Sequence, residues 1–206
     1  MKTIYPIILI FNFIYCNSQT ILYKELIKNV NMNNEKVIYK NTNVKNFRIT
    51  EPIIEDEIFK NIIKQRVSVN KKQKFCNSND VNCEIYLNYK VEHMSTNLLS
   101  LITSYYTMFR MPRDVDNQLH VNILLFKDKI YEVKVKKSKL LYKKVIEKIK
   151  SKKINSECKF IYDDCELEFY ISNHKAIITL YTDKVCSAKI PYLLQYKDLT
   201  FREIKF

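Results

Sequence analysis

The sequence predicts an α+β domain, an antiparallel sheet with two amphipathic helices packed on one face. Three observations predict it: apolar runs of period two joined by short connections, two stretches with apolar residues at helical spacing, and the order helix, strands, helix, strands along the chain. At 206 residues there is enough chain for one ample core. A hydrophobic fraction of 47% argues against disorder despite the many Lys and Asn residues.

The chain opens MKTIYPIILIFNFIYCNSQT. Lys2 precedes an apolar run from Ile4 to Tyr15 that is too short to span a bilayer, the pattern of a signal peptide over residues 1–18. Ser18 and Cys16 form a small-residue cleavage site before Gln19. Lipid anchoring through Cys16 is the alternative, and bulky Tyr15 before it disfavours that route. Export to a secreted or periplasmic location follows. Residues 19–46 form an N-terminal segment with no assigned element, and 47–206 a single domain.

PIIEDEIFKNIIKQRV reads as the first helix, with Pro52 in the first turn, Glu55, Asp56 and Glu57 early, and Lys64 and Arg66 late. Its apolar stripe is Ile54, Ile58, Phe59, Ile62 and Ile63. From Glu84 to Val91 the period becomes two, with Ile85, Leu87, Tyr89 and Val91 on one face. Leu98 to Phe109 repeats the pattern. Val121–Phe126 with Ile130–Val135, and Cys165–Ile171 with Lys175–Tyr181, read as hairpins. Between the hairpins, SKLLYKKVIEKIKSKK places Leu141, Val145 and Ile149 at i, i+4 and i+8, a second amphipathic helix.

The chain contains no glycine. Phosphate-cradling loops and the nucleophile elbow use glycine for close backbone approach, so neither is expected in its usual form. The hairpin turn at Lys127, Asp128 and Lys129 must be made without it, and Asp128 is the residue best able to take the left-handed conformation. His93, His120 and His174 lie far apart without zinc-ligand spacing and read as surface or strand histidines. Asp163, Asp164, Glu166 and Glu168 are the densest carboxylates. Glu166 and Glu168 share a strand face, and the bland reading is a solvated edge. The expectation is therefore no catalytic centre, no metal and no cofactor.

Five cysteines follow Ser18. The two C-x6-C spacings, CNSNDVNC and CKFIYDDC, suggest local disulfides Cys76–Cys83 and Cys158–Cys165 with Cys186 left over, although other pairings are open.

Loss of residues 1–18 removes one Lys and no acid from a net charge of +13, leaving 13 − 1 = +12. Between Lys134 and Lys153 stand ten lysines and one acid, Glu147. Lys134, Lys136, Lys137, Lys139, Lys143 and Lys144 are the candidate contacts for an anionic envelope polymer or nucleic acid. The competing reading is the solvated side of a strand and a helix.

The order of features resembles the domain of unknown function shared by the extracytoplasmic part of RsiV-type anti-sigma factors and the non-catalytic part of PdaC-type peptidoglycan deacetylases. The matching stretches are IIEDEIFKNIIKQ, YLNYKVEHMSTNLLSLITSYYT, VNILLFKDKIYEV, LLYKKVIEKIKS and FYISNHKAIITLYTDKVCSAKIPYLLQYKDL, covering roughly Phe47 to Leu199. MPRDVDNQ stands where many relatives carry a Gly-Gly-Ala-His-like stretch. The resemblance implies an envelope domain that binds rather than catalyses, with the turn at Lys127–Lys129 as scaffold and a secreted protein such as a lysozyme as one class of partner. A contact face between two basic proteins would repel, which favours the polyanion reading. A hydrolase is the least supported.

Overall fold

The computed structural model describes residues 18–44, 47–72, 84–108, 117–154, 158–182 and 186–205. Residues 18–30 form helix α1. It is followed by β1 (Ile38–Val44), β2 (Phe47–Ile53), α2 (Glu57–Lys72), β3 (Glu84–Ser95), β4 (Leu98–Met108), β5 (Asn117–Phe126) and β6 (Lys129–Val135). Then come α3 (Lys139–Ser151), β7 (Cys165–Ser172), β8 (Lys175–Thr182), β9 (Cys186–Pro191) and β10 (Leu199–Ile204).

The strands form two sheets rather than one. Seven pair in the order β1-β2-β3-β4-β5-β6-β10 and three in the order β7-β8-β9. Every pair is antiparallel except β2 with β3, which run parallel from Phe47↔Ile85 to Thr50↔Asn88. The parallel pair follows from α2, which carries the chain back between the two strands as a crossover.

The first helix begins later than its sequence suggests. Pro52 lies in β2, opposite Tyr39, and Asp56 Oδ1 accepts from Phe59 N–H at 2.8 Å, capping α2 just before Glu57. Phe59, Ile62 and Ile63 are buried, whereas Ile58 is exposed. For α3, Ser138 Oγ accepts from Leu141 N–H at 3.2 Å, and Leu141, Val145 and Ile149 are buried, as their spacing implies.

The two helices serve different cores, which corrects their expected placement on one face. Phe59, Ile62 and Ile63 of α2 pack with Leu87, Leu99, Leu101 and Ile123. Leu141, Val145 and Ile149 of α3 pack with Leu98, Leu124 and Val133 and with the inner residues of β7, β8 and β9. Leu98 and Leu99 are neighbours on β4, as Ile123 and Leu124 are on β5. Successive side chains point to opposite faces, so the large sheet is covered on both sides: α2 on one, the small sheet with α1 and α3 on the other.

The layers meet through polar contacts. β7 crosses β3, β4, β5 and β6 without pairing with any of them. Its edge away from β8 is satisfied by side chains instead. Ile171 N–H donates to Ser100 Oγ at 2.8 Å, Asn122 Nδ2 donates to Phe169 O at 2.8 Å, and Ser100 Oγ donates to Asn122 Oδ1 at 2.7 Å. Ser100 and Asn122 are both buried.

The N-terminal segment belongs to the same assembly. Leu22, Leu26 and Val30 of α1 join the core beneath the small sheet. Asn29 O accepts from His93 Nε2 at 3.0 Å, and Ser95 Oγ donates to Asn29 Oδ1 at 3.2 Å. Val30 O accepts from His174 Nδ1 at 3.0 Å. Tight hairpin turns take their left-handed residues from Lys127 (φ 50°) and Asp128 (φ 59°), and from Asn173 (φ 49°) and His174 (φ 58°), the pattern of type I′ turns that glycine usually supplies.

Two consequences are measurable. Ser100→Ala strands the buried Ile171 N–H and should cost about 1–3 kcal/mol in denaturant titrations, with faster exchange of that amide. His93 is fully buried and its Nδ1 has no hydrogen-bond partner. Burial holds its pKa below the ordinary 6.5, with nearby His174 acting the same way and the bond to Asn29 opposing it. Below about pH 6.5 the unfolded chain therefore binds more protons than the folded one, and stability that is complete above that pH is lost as pH falls. Thermal melts should show a lower Tm at about pH 5.5 than at about pH 7.5, and His93→Gln should flatten that slope.

Candidate anion-binding surface

All six candidate lysines are exposed, and they fall into two groups. Lys134 sits on β6 opposite Thr200, with its Nζ 3.2 Å from Glu132 Oε2. At this end of the stretch β5 and β6 part, since their register ends at Ile123↔Glu132. A cavity of about 260 Å³ opens there, lined by Lys134, Lys137 and His120 together with Glu166 and Glu168. Positive and negative charge meet in it, so the strand end of the basic stretch is partly neutralised.

Lys136 and Lys137 lie in the link to α3, and Lys139, Lys143 and Lys144 lie on α3 itself. Because Leu141, Val145 and Ile149 point into the core, residues 139, 143 and 144 occupy the solvent side. Lys137 and Lys139 place their ammonium groups 5.4 and 6.0 Å from the centroid of Tyr162, a cation–π contact that fixes where the helix row begins. Among the described residues, none of these five has a carboxylate partner within ion-pair distance.

The structure extends the row beyond the residues singled out from sequence. At the C-terminal end of α3, Lys150 and Lys153, with Lys159 from the following segment, border a cavity of about 380 Å³ floored by Ile146, Ile149 and Phe160. Lys153 takes φ 53° as the chain leaves the helix. Lys150 and Lys153 were visible as part of the lysine run. Lys159 was not, because only the return of the chain from α3 towards β7 brings it alongside.

The carboxylates act as anchors. Glu168 Oε2 accepts from His120 Nδ1 at 2.7 Å and from His120 backbone N–H at 3.0 Å, the second bond filling the place where β6 has left β5. Tyr181 also hydrogen-bonds Glu168. Burial, then the charges of Glu168 and Glu166, hold its hydroxyl protonated well above the usual tyrosine range. Three donors thus converge on one carboxylate. Glu166 and Glu168 do share a face, as the spacing implies, since both alternate with the buried Leu167 and Phe169. His93 and His120 are strand residues with interior side chains, and His174 is at a turn. No group of three or more His, Cys, Asp or Glu among the described residues is placed to hold a metal.

The cysteine expectation needs correction. Cys158 is bonded to Cys186, not to Cys165, and Cys165 is a buried free thiol. Cys165 pairs in register with Thr182, and Thr182 with Cys186, so Thr182 separates Cys165 from the bridge. The Cys165 side chain faces the core, where Tyr142 hydrogen-bonds it and burial pushes the thiol pKa up. Local spacing misled because Cys158 precedes β7 while Cys165 begins it, its side chain turned inward. Cys76 and Cys83 lie outside the described residues.

Searched against protein-family models the chain matches none, and no curated protein matches it.

Peptide mapping without reduction should recover Cys158 joined to Cys186, and Cys165 should alkylate only after unfolding. Breaking the bridge, which closes 28 residues, should cost about 3–4 kcal/mol. A Cys158–Cys165 peptide would contradict this arrangement.

Proposed function

We propose that this protein is an exported, non-catalytic binding module that holds anionic polymers through the solvent face of α3 and the segments that flank it. The observation that carries the reading is the row Lys136, Lys137, Lys139, Lys143 and Lys144, exposed and without carboxylate partners among the described residues, on a mature chain of net charge about 13 − 1 = +12. Such a row attracts polyphosphate, nucleic acid or an acidic envelope polymer by displacing its condensed cations, with no need for the glycine-built loops this chain lacks. Lys134 takes a lesser part, because Glu132 already faces it.

Export is supported by the signal-like N-terminus and by the Cys158–Cys186 disulfide, a bond that forms and persists in oxidising compartments. No described helix is long and apolar enough to cross a membrane. The convergence of His120 N–H, His120 Nδ1 and Tyr181 on Glu168 accounts for that member of the carboxylate cluster by packing, which supports a binding role over a hydrolytic one.

The test is binding to heparin or single-stranded DNA at two salt concentrations. Between about 50 and about 200 mM salt, affinity should fall roughly a hundredfold if about four phosphates are neutralised. Lys139→Glu with Lys143→Glu and Lys144→Glu should abolish most binding, whereas Lys134→Glu should change it little. Salt-insensitive binding, or equal losses in the two variants, would defeat the α3 assignment and favour the protein partner that the RsiV-type resemblance implies.

A further inference from the structure

On another side of α3 lies a third cavity, of about 360 Å³, between α1, the small sheet and the segment that follows β9. Its walls are apolar: Leu26 and Val30 of α1, Phe169 and Ile171 of β7, and Leu194 and Leu199. All six are buried, so the floor is part of the core beneath the small sheet. Leu193, 82% exposed, stands among the lining residues at its opening.

Its polar lining is mostly neutral or basic, and the nearest carboxylate, Asp198, acts on Tyr23 and Tyr192, whose hydroxyl pKa values are raised by burial and then by its charge. Lys148, Lys175 and His174 line it, and no Asp or Glu does. Lys148 Nζ donates to Pro191 O at 2.6 Å and lies 5.4 Å from the Tyr192 ring centroid. It is thereby fixed near the mouth with donors to spare, since an ammonium carries three. Tyr23 Oη donates to Leu194 O at 2.8 Å, which ties α1 to the far wall and holds the opening between helix and sheet. An apolar hole whose charged lining side chains are two lysines suits a hydrocarbon tail with a negative head.

We infer that this cavity binds a single-chain fatty carboxylate, tail against Leu26, Val30, Phe169 and Leu194, head beside Lys175 and Lys148. At roughly 30 Å³ per methylene-sized group, its volume holds a chain of about ten to twelve carbons. Each methylene withdrawn from water raises affinity about fourfold, so the tail supplies most of the binding and the lysines select the head. The inference is independent of the polyanion reading, because the α3 lysines of that row do not line this cavity.

The experiment is titration of the full chain with decanoate and with 1-decanol, followed by calorimetry and by amide shifts. Decanoate should bind saturably at one site, shifting amides of α1, β7 and the segment after β9, and decanol should bind about fivefold more weakly. Lys175→Glu, at an exposed position, should weaken decanoate about fivefold. Ile27→Trp, at the half-buried rim, should block it while the α3 charge-reversal variant binds unchanged. Absence of saturable binding, decanol binding as tightly as decanoate, or decanoate affinity unmoved by Lys175→Glu would overturn the proposal. Should Ile27→Trp fail to fold, the Lys175→Glu and decanol comparisons decide alone.

Discussion

An edge strand laid across another sheet cannot leave its backbone unsatisfied in the interior, and the rest of this structure depends on how β7 meets that constraint. Ser100 and Asn122, neighbours across β4 and β5, supply an acceptor to Ile171 N–H and a donor to Phe169 O. They also bond each other, so each group in the buried set has a partner. That grip orients the small sheet with Leu167, Phe169 and Ile171 turned towards α1 and α3. A buried polar layer is costly unless it is complete. Completed, it sets the position of one sheet on the other in a way that apolar contact alone would leave loose.

The second constraint is compositional. Without glycine, tight turns fall to residues that bear a Cβ, and the chain places Asp128 and Asn173 in two of the left-handed positions, where short polar side chains are tolerated. The partner positions, Lys127 and His174, are less favoured. His174 gives something back through its bond to Val30 O, which fastens the tip of the β7–β8 hairpin to the end of α1. With glycine-built backbone cradles closed off, any contact with anions would fall to side-chain charge, and among the described residues the lysines of the exposed face of α3 form no ion pair.

Charge is sorted by the fold. Along the sequence the lysines form one run, yet strand alternation places Lys134 beside Glu132, and the parting of β5 from β6 sets Lys134 and Lys137 around a cavity shared with Glu166 and Glu168. The helix part of the run carries one exposed acid, Glu147, and among the described residues Lys139, Lys143 and Lys144 form no ion pair. The Cys158–Cys186 bridge ties β9 to the segment that returns from α3, so Lys153 and Lys159 are held beside the end of that helix.

The sequence by itself determined the elements with strong local periodicity: the buried alternation Ile85, Leu87, Tyr89, Val91, the stripe Leu141, Val145, Ile149, both tight hairpins, and the exposure of the six lysines. These follow from side-chain period and charge, which are properties of neighbours in the chain. It also held an unread signal, since the apolar neighbours Leu98–Leu99 and Ile123–Leu124 mark strands buried on both faces, and hence helices divided between two cores. Only the tertiary structure decided that residues 18–30 are a helix of the core, that β2 and β3 run parallel, that Cys158 finds Cys186, and that Glu168 serves His120 and Tyr181. Each of these joins groups distant in sequence. Whether they meet is settled by which edges and faces remain to be satisfied once the local elements have packed.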